Sequence, residues 1–326
     1  MQKIEELMKK RAAELLADQK AEMVLAWTAG DMFYDNAPAY FSTEEELNKL
    51  VFNDFCGSNL SKYLLANSKK DEKTAVFLKP CDTYSLNQLI KDKRVKREQV
   101  LVIGIPCAGM LDINKIKAQG LKGITGVTAN ADELVVDSVY GKKTIAREDV
   151  LLQKCLACKG SAYAISDETL GEPIEVKHAA YDRMTEVRAL EKLTPAERFA
   201  FWQQELSKCI RCNACRDVCP ACSCEQCIFD NQESPVAGKA NNNSAEEQLF
   251  HIIRAYHVAG RCTDCGECSR VCPQGIRLDL LNRKFIKDIN EFYGEYQAGA
   301  DAVTDAPLLA FDMDDIEPAA AAKGRE

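Results

Sequence analysis

Two cysteine strings constrain this chain more than any other feature. They are Cys209-x-x-Cys212-x-x-Cys215-x-x-x-Cys219-Pro220 and Cys262-x-x-Cys265-x-x-Cys268-x-x-x-Cys272-Pro273. Each is a C-x2-C-x2-C-x3-C-P run, the pattern of chains that hold two cubane [4Fe–4S] clusters. Three thiolates at this spacing wrap one face of a cube, and the fourth points away to reach the neighbouring cube. The proline then stops the ligand loop from running on as a helix. The spacing predicts one cluster on Cys209, Cys212, Cys215 and Cys272, and a second on Cys262, Cys265, Cys268 and Cys219. Structural zinc takes four thiolates in two C-x2-4-C pairs. Two complete quartets, each closed by proline, do not have that form.

The 326 residues suffice for about two domains with cores of their own. Sixteen cysteines would indicate a disulfide scaffold in a short secreted chain. This chain is long, and residues 1–20 alternate charge with short apolar residues, unlike a signal peptide; they read as an N-terminal surface helix. The grouped thiols therefore predict metal in a reducing cytoplasm. No apolar run approaches the length of a membrane span, so no membrane insertion is expected. The net charge of −8 is uneven: residues 295–326 hold eight acids and two bases, leaving −2 for the body. That acidic balance argues against nucleic-acid binding. One basic stretch, Lys91-Asp92-Lys93-Arg94-Val95-Lys96-Arg97, reads as a solvated loop, with a docking patch for an acidic partner as the alternative.

Residues 21–193 read as an α/β domain. Short apolar runs at 22–27, 74–78 and 100–105 have the composition of buried strands, and helical segments lie between them. Ser42-x-x-Glu45 reads as a capping box opening a helix with Leu47, Leu50 and Val51 on one face, and 83–90 as a short helix. The alternation predicts a largely parallel sheet. Residues 194–294 read as mainly helical. Thr194-Pro195-Ala196-Glu197 is a capping box for a helix presenting Phe199, Trp202 and Leu206. Residues 230–243 look like a polar, mobile loop. Ser244-x-x-Glu247 opens a helix whose inner face is expected to carry Leu249, Ile252, Ile253 and Tyr256, with Gly260 closing it. A last helix carries Leu278, Leu281, Phe285 and Ile289. Residues 295–326 form an acidic, Ala-rich tail for which disorder is the default reading; a docking peptide through Leu308, Leu309 and Phe311 is the alternative.

Four further cysteines sit in the α/β part. Cys81 follows a strand in Lys79-Pro80-Cys81-Asp82, Cys107 follows another in Gly104-Ile105-Pro106-Cys107, and Cys155 and Cys158 form a C-x2-C pair. Buried cysteine is often only a small apolar residue, which accounts for Cys81 and Cys107 but not for the pair. This order resembles the β subunits of deazaflavin-reducing hydrogenases and formate dehydrogenases, over roughly 75 to 190. The resemblance implies a third [4Fe–4S] cluster on Cys81, Cys107, Cys155 and Cys158, and a flavin. No G-x-G-x-x-G fingerprint or P-loop is present, and the α/β part is short for a flavin-bearing subunit, so FAD stays open. Residues 194–290 resemble the helical dicluster ferredoxin module of heterodisulfide reductase small subunits, since the 42 residues 220–261 between the runs exceed a compact ferredoxin's hairpins.

Cys222, Cys224 and Cys227 follow the first run directly. They read as ligands of an additional metal, completed by Cys56 or a non-cysteine group, or as inert lining, or Cys222 replaces Cys219. His251 and His257 sit on the helix before the second run, near enough to hydrogen-bond a cluster sulfur or a partner; six residues apart, they read first as ordinary helix-surface residues. No catalytic constellation is legible. The expected function is an iron–sulfur electron-transfer subunit of a cytoplasmic, anaerobic multi-subunit oxidoreductase. Its partners would be catalytic or flavin subunits of a formate dehydrogenase, a hydrogenase or a heterodisulfide reductase-like complex. The alternatives are a flavin-containing catalytic β subunit acting on a deazaflavin or nicotinamide, and a redox sensor or cluster scaffold.

Overall fold

The computed structural model describes residues 1–70, 72–130, 132–174, 182–231 and 244–309. The three apolar runs become strands of one sheet: β1 (Met23–Ala29), β3 (Thr74–Leu78) and β4 (Val100–Gly104), with β2 (Asn36–Phe41) paired antiparallel to β1. A separate antiparallel sheet follows, built from β5 (Ile124–Ala129), β6 (Glu133–Ser138) and β7 (Gly141–Ala146). The short β8 (Glu168–Thr169) then joins the first sheet, giving the order β2-β1-β3-β4-β8 with β1, β3, β4 and β8 parallel. β3 is buried along its whole length, as central parallel strands are. The expected parallel sheet is present; the β5–β7 sheet was not legible, because its strands carry Lys142, Lys143 and Glu133 at exposed positions and alternate weakly.

Helix α1 (Gln2–Ala17) buries Met8, Ala12 and Leu15, at helical spacing, and leaves its charged face to solvent. α2 (Pro80–Lys91) starts with Pro80 at its first turn, directly after β3. α3 (Ile113–Ala118), α4 (Gln153–Leu156) and α5 (Thr185–Glu191) are short. The capping motif near residue 42 falls one residue later than expected. Glu46 accepts from the Ser42 and Thr43 amides, Thr43 Oγ1 accepts from Glu46 N, and only a single 3-10 turn, Glu46–Lys49, follows.

The second region is helical: α6 (Pro195–Leu206), α7 (Ala214–Asp217), α8 (Ser244–Val258), α9 (Glu267–Arg270) and α10 (Leu278–Tyr293). The Thr194–Glu197 box forms as read, and Gly260 adopts φ +71 after α8. The inner face of α8 differs from expectation. Leu249, Ile252 and Tyr256 are exposed, and Glu247, Phe250, His251, Arg254, Ala255 and Val258 are buried. The apolar core here is small, Leu206, Phe229, Phe250, Ile276 and Leu278, and cysteines complete it. A polar face turns inward because it meets thiols. α5 joins this region through ion pairs of Glu191 with Lys284 and Lys287, and of Glu186 with Arg277.

The tail reading needs correction over the described residues. Residues 295–309 pack onto the body: Ala298 and Ala306 are buried, Asn87 Nδ2 donates to Gly299 O at 3.1 Å, and Lys91 Nζ donates to the Tyr296 hydroxyl and to Thr304 O. Leu308 and Leu309 are exposed, and Phe311 lies outside the described residues. The 91–97 stretch is correspondingly engaged within the chain. Asp92 pairs with Arg261, Arg94 with Glu225 and Arg97 with Asp167. Truncation after Tyr296 removes one of the two acceptors of Asn87 Nδ2, leaving Ala164 O, and opens the ground under Gly260. We expect it to cost about 1–3 kcal/mol, on the scale of one lost buried hydrogen-bond partner, read as a lower midpoint in thermal or denaturant unfolding.

Candidate metal centres

The sheet delivers two of the site thiols. β3 and β4 are adjacent and parallel, with Leu78 paired to Gly104, so Lys79-Pro80-Cys81 and Ile105-Pro106-Cys107 leave the same edge. Ligand groups gather at such carboxyl ends of parallel strands. Cys155 lies in α4 and Cys158 just beyond it. All four thiols line one cavity, together with Lys154 and Lys159, and Asp264 and Cys265 of the second run line the same cavity. The amides of Met110 and Gly160 donate to the sulfurs of Cys155 and Cys158 at 3.3 and 3.4 Å.

The two runs share a backbone design. Arg211 and Asn213 in the first, and Asp264 and Gly266 in the second, all have positive φ between 53 and 68. Two left-handed residues between ligands curl each loop back on itself before one turn of helix, α7 or α9. At Gly266 a side chain would also meet Lys154 Cβ at 2.5 Å, so glycine is required there. Cys209, Cys212, Cys215 and Cys272 line a common cavity with Phe250 and His251, which brings together the first predicted quartet. Cys219 acts electrostatically on Cys262, Cys265 and Cys268, grouping the second. Arg211 N donates to Cys209 Sγ at 3.3 Å and Ile276 N to Cys272 Sγ at 3.4 Å. Desolvation pushes the thiols of Cys107, Cys209, Cys262 and Cys265 up to about 12. A metal taken up there displaces a proton from each sulfur.

A hydrogen bond from Cys222, with the Arg254 charge, outweighs burial and holds the Cys219 thiol below its usual range. Cys222, Cys224 and Cys227 line a third cavity, whose walls include His257 and the cations Lys62, Arg216, Arg254 and Arg261. Cys56 is elsewhere, fully buried in the α/β core beside Asn53 and Val51.

Several buried polar groups at these cavities escaped the sequence reading. His251 is 1% exposed, with neither ring nitrogen hydrogen-bonded, and its ring reaches within 4.8 Å of Cys209 Sγ and Glu247. Burial, then the Arg254 and Arg211 charges, hold it down at about 3, so it is a neutral imidazole. Arg254 is 3% exposed and donates to Cys215 O at 2.9 Å. Among the described residues it has no carboxylate within ion-pair distance, and it lies in the field of Cys219, Cys268, Cys222 and Cys215. Their signal was present as the 247-251-254-258 spacing, which polarity made look like a solvent face.

One ion group ties the two regions together. Glu267, fully buried between Cys265 and Cys268, accepts from Lys154 Nζ at 2.5 Å, from Arg270 in bidentate fashion at 2.8 Å, and from Asn59 N at 3.2 Å. Burial disfavours its charge, but the Arg270 and Lys154 charges overcome this and hold the carboxyl far below its usual range. Glu267→Gln leaves two cations without their counter-charge. We expect a cost of about 3–5 kcal/mol in denaturant unfolding, with Glu267→Gln/Lys154→Met less costly than the sum of the singles.

Comparison with known proteins agrees with this architecture. A family described as "4Fe-4S dicluster domain" matches residues 205–276. The F420-dependent formate dehydrogenase subunit beta of Methanocaldococcus jannaschii is 24% identical, over 88% of this chain and 89% of its own length. The F420-dependent formate dehydrogenase 1 subunit beta of Methanococcus maripaludis is 24% identical over 63% of this chain and 69% of its own. A chain of the F420-reducing [NiFe] hydrogenase complex from Methanosarcina barkeri superposes with a TM-score of 0.39 at 12% identity, covering 62% of this chain and 86% of that one. Among the described residues no helix is long and apolar enough to cross a membrane. With its α/β region followed by a helical dicluster region, this chain is homologous to the beta subunits of F420-dependent formate dehydrogenases and carries a 4Fe-4S dicluster domain.

Proposed function

We propose that this chain relays single electrons through three [4Fe–4S] clusters, as the iron–sulfur subunit of a cytoplasmic formate dehydrogenase- or hydrogenase-like complex. Cys209, Cys212, Cys215 and Cys272 would hold the first cluster, Cys262, Cys265, Cys268 and Cys219 the second, and Cys81, Cys107, Cys155 and Cys158 the third. The observation that carries the reading is contiguity. Cys265 and Asp264 line the same cavity as the α/β thiols, and Arg254 lies in the field of Cys215 of the first quartet and of Cys219 and Cys268 of the second. The donor set fits the group, since each quartet offers four thiols, with backbone amides aimed at sulfur in the first and third and Asn282 Nδ2 at Cys268 in the second, which stabilise added electrons. When bound, the clusters supply one-electron transfer; the chain's own residues fix their spacing and exclude water.

The count tests this. In anaerobically purified protein the three quartets should contribute about 12 iron and 12 sulfide per chain, and Cys155→Ser/Cys158→Ser should lower the total by about four of each. Unchanged iron and an unchanged low-temperature magnetic spectrum in the double variant would refute the third cluster. A second measurement addresses tuning. His251 has an N–H free to donate toward the first quartet, so His251→Leu should lower that cluster's potential without loss of iron. About 1 kcal/mol of lost hydrogen bond corresponds to roughly 40 mV for one electron.

A second reading, a flavin-containing catalytic subunit, is favoured by one observation. A groove between the two regions is lined by Tyr34, Phe55, Lys154, Arg270 and Arg277 and reaches Cys272. Its aromatic rings suit an isoalloxazine. Flavin released from the anaerobically purified chain on denaturation would favour this reading; its absence would leave the relay alone.

A further inference from the structure

We propose that Cys222, Cys224, Cys227 and His257 hold a further iron–sulfur cluster at the surface, next to the second quartet. The three thiols follow Pro220 within a few residues and belong to no ferredoxin quartet. The fold brings them to one cavity with the imidazole of His257, from the last turn of α8. That supplies a four-membered donor set of three thiols and one imidazole. Cys56, the remaining cysteine, is enclosed in the α/β core and takes no part.

The lining fits an anionic group. Three thiolates and a cubane core carry net negative charge, which must be compensated where water is scarce. Four cations, Lys62, Arg216, Arg254 and Arg261, line this same cavity with three carboxylates, Asp217, Glu225 and Asp230; Asp217 and Asp230 pair with Arg216, and Glu225 with Lys69 and Arg94. Arg216 and Arg261 already have carboxylate partners, Asp230 and Asp92. Arg254 is different: it is 3% exposed, its Nε has no hydrogen-bond partner, and among the described residues no carboxylate pairs with it. Lys62 donates only to the carbonyl of Cys222, at 2.5 Å. Arg254 thus serves the two ferredoxin quartets and this cavity together, and Lys62, with no carboxylate partner among the described residues, faces this cavity alone; both cations suit negative charge held here.

The position gives such a cluster a purpose. The Cys222 amide donates to Cys219 O at 3.1 Å and Cys222 packs with Cys219 and Cys262, so the site abuts the second quartet, while Cys224 and His257 are exposed. Electrons arriving at the second cluster would find here a surface outlet, and an imidazole in place of a thiolate raises a cluster's potential. The role as an outlet rests on the relay reading above; the existence of the site does not.

The test uses the full chain, purified anaerobically, as wild type, Cys224→Ser/Cys227→Ser and His257→Cys. Iron, sulfide and zinc are counted, and nitrogen couplings to the reduced clusters are read by pulsed magnetic resonance. The double variant should lose about four iron and four sulfide while the signals of the two ferredoxin quartets persist. His257→Cys should keep the wild-type iron count and lose one ligand-strength nitrogen coupling. Unchanged iron in the double variant, zinc in place of iron, or an unchanged nitrogen coupling in His257→Cys would overturn the proposal. The relay reading fails by a separate result, a wild type lacking the roughly eight iron of the ferredoxin quartets, which the Cys224 and Cys227 substitutions do not touch.

Discussion

The architecture depends on one buried carboxylate. Glu267 lies between two thiols of the second quartet, and the lysine it binds, Lys154, precedes a thiol of the α/β cavity. A single ion pair thus ties the thiol-lined α/β cavity to the second cysteine run on a different region of the fold. Surface ion pairs contribute little, but this one is enclosed, and its remaining lone pairs are taken by Arg270 and the Asn59 amide. Removing one member leaves a buried charge without its partner. Ser85 and Thr263 add a buried hydroxyl contact at 2.9 Å across the same junction, itself held by Asn59.

Around this junction the interior is more cationic than an ordinary core. Lys79 is 1% exposed, paired with Asp82 at 2.8 Å and seated 4.2 Å from the Trp27 ring centroid. Lys159 lines the α/β cavity with its ammonium unpartnered, 4.6 Å from the Tyr84 ring centroid. Such placements are costly in an apolar interior. They become reasonable where thiolate-bound clusters add negative charge, and the same charges make reduction of a cluster easier.

Much of this was legible beforehand, and the reasons for the rest are physical. Covalent spacing is local, so the paired runs could be read directly, as could the strand segments and the Thr194 box. Side-chain direction on a helix depends on what the helix packs against. The inner face of α8 was misjudged because apolar residues were assigned to the core, whereas the core there is sulfur and accepts Arg254 and His251. The packing of residues 295–309 could not be anticipated for a similar reason. Its anchors are backbone carbonyls at Gly299 and Thr304, which no composition reveals. The Lys154–Glu267 pair joins positions 113 residues apart and leaves no mark on either neighbourhood.

The doubled ligand loop has a consequence for how the protein matures. Each loop, with its paired left-handed residues, supplies three thiols to its own cavity, and under the proposed ligation its fourth thiol serves the other. Neither cavity is then complete until both loops have folded against each other. Cluster insertion would be mutual: the first cube pins Cys272 and with it the second loop, and the second cube pins Cys219 and with it the first. A chain built in this way has few half-loaded states in which to linger, and iron supply would act on its folding as a switch more than as a gradient.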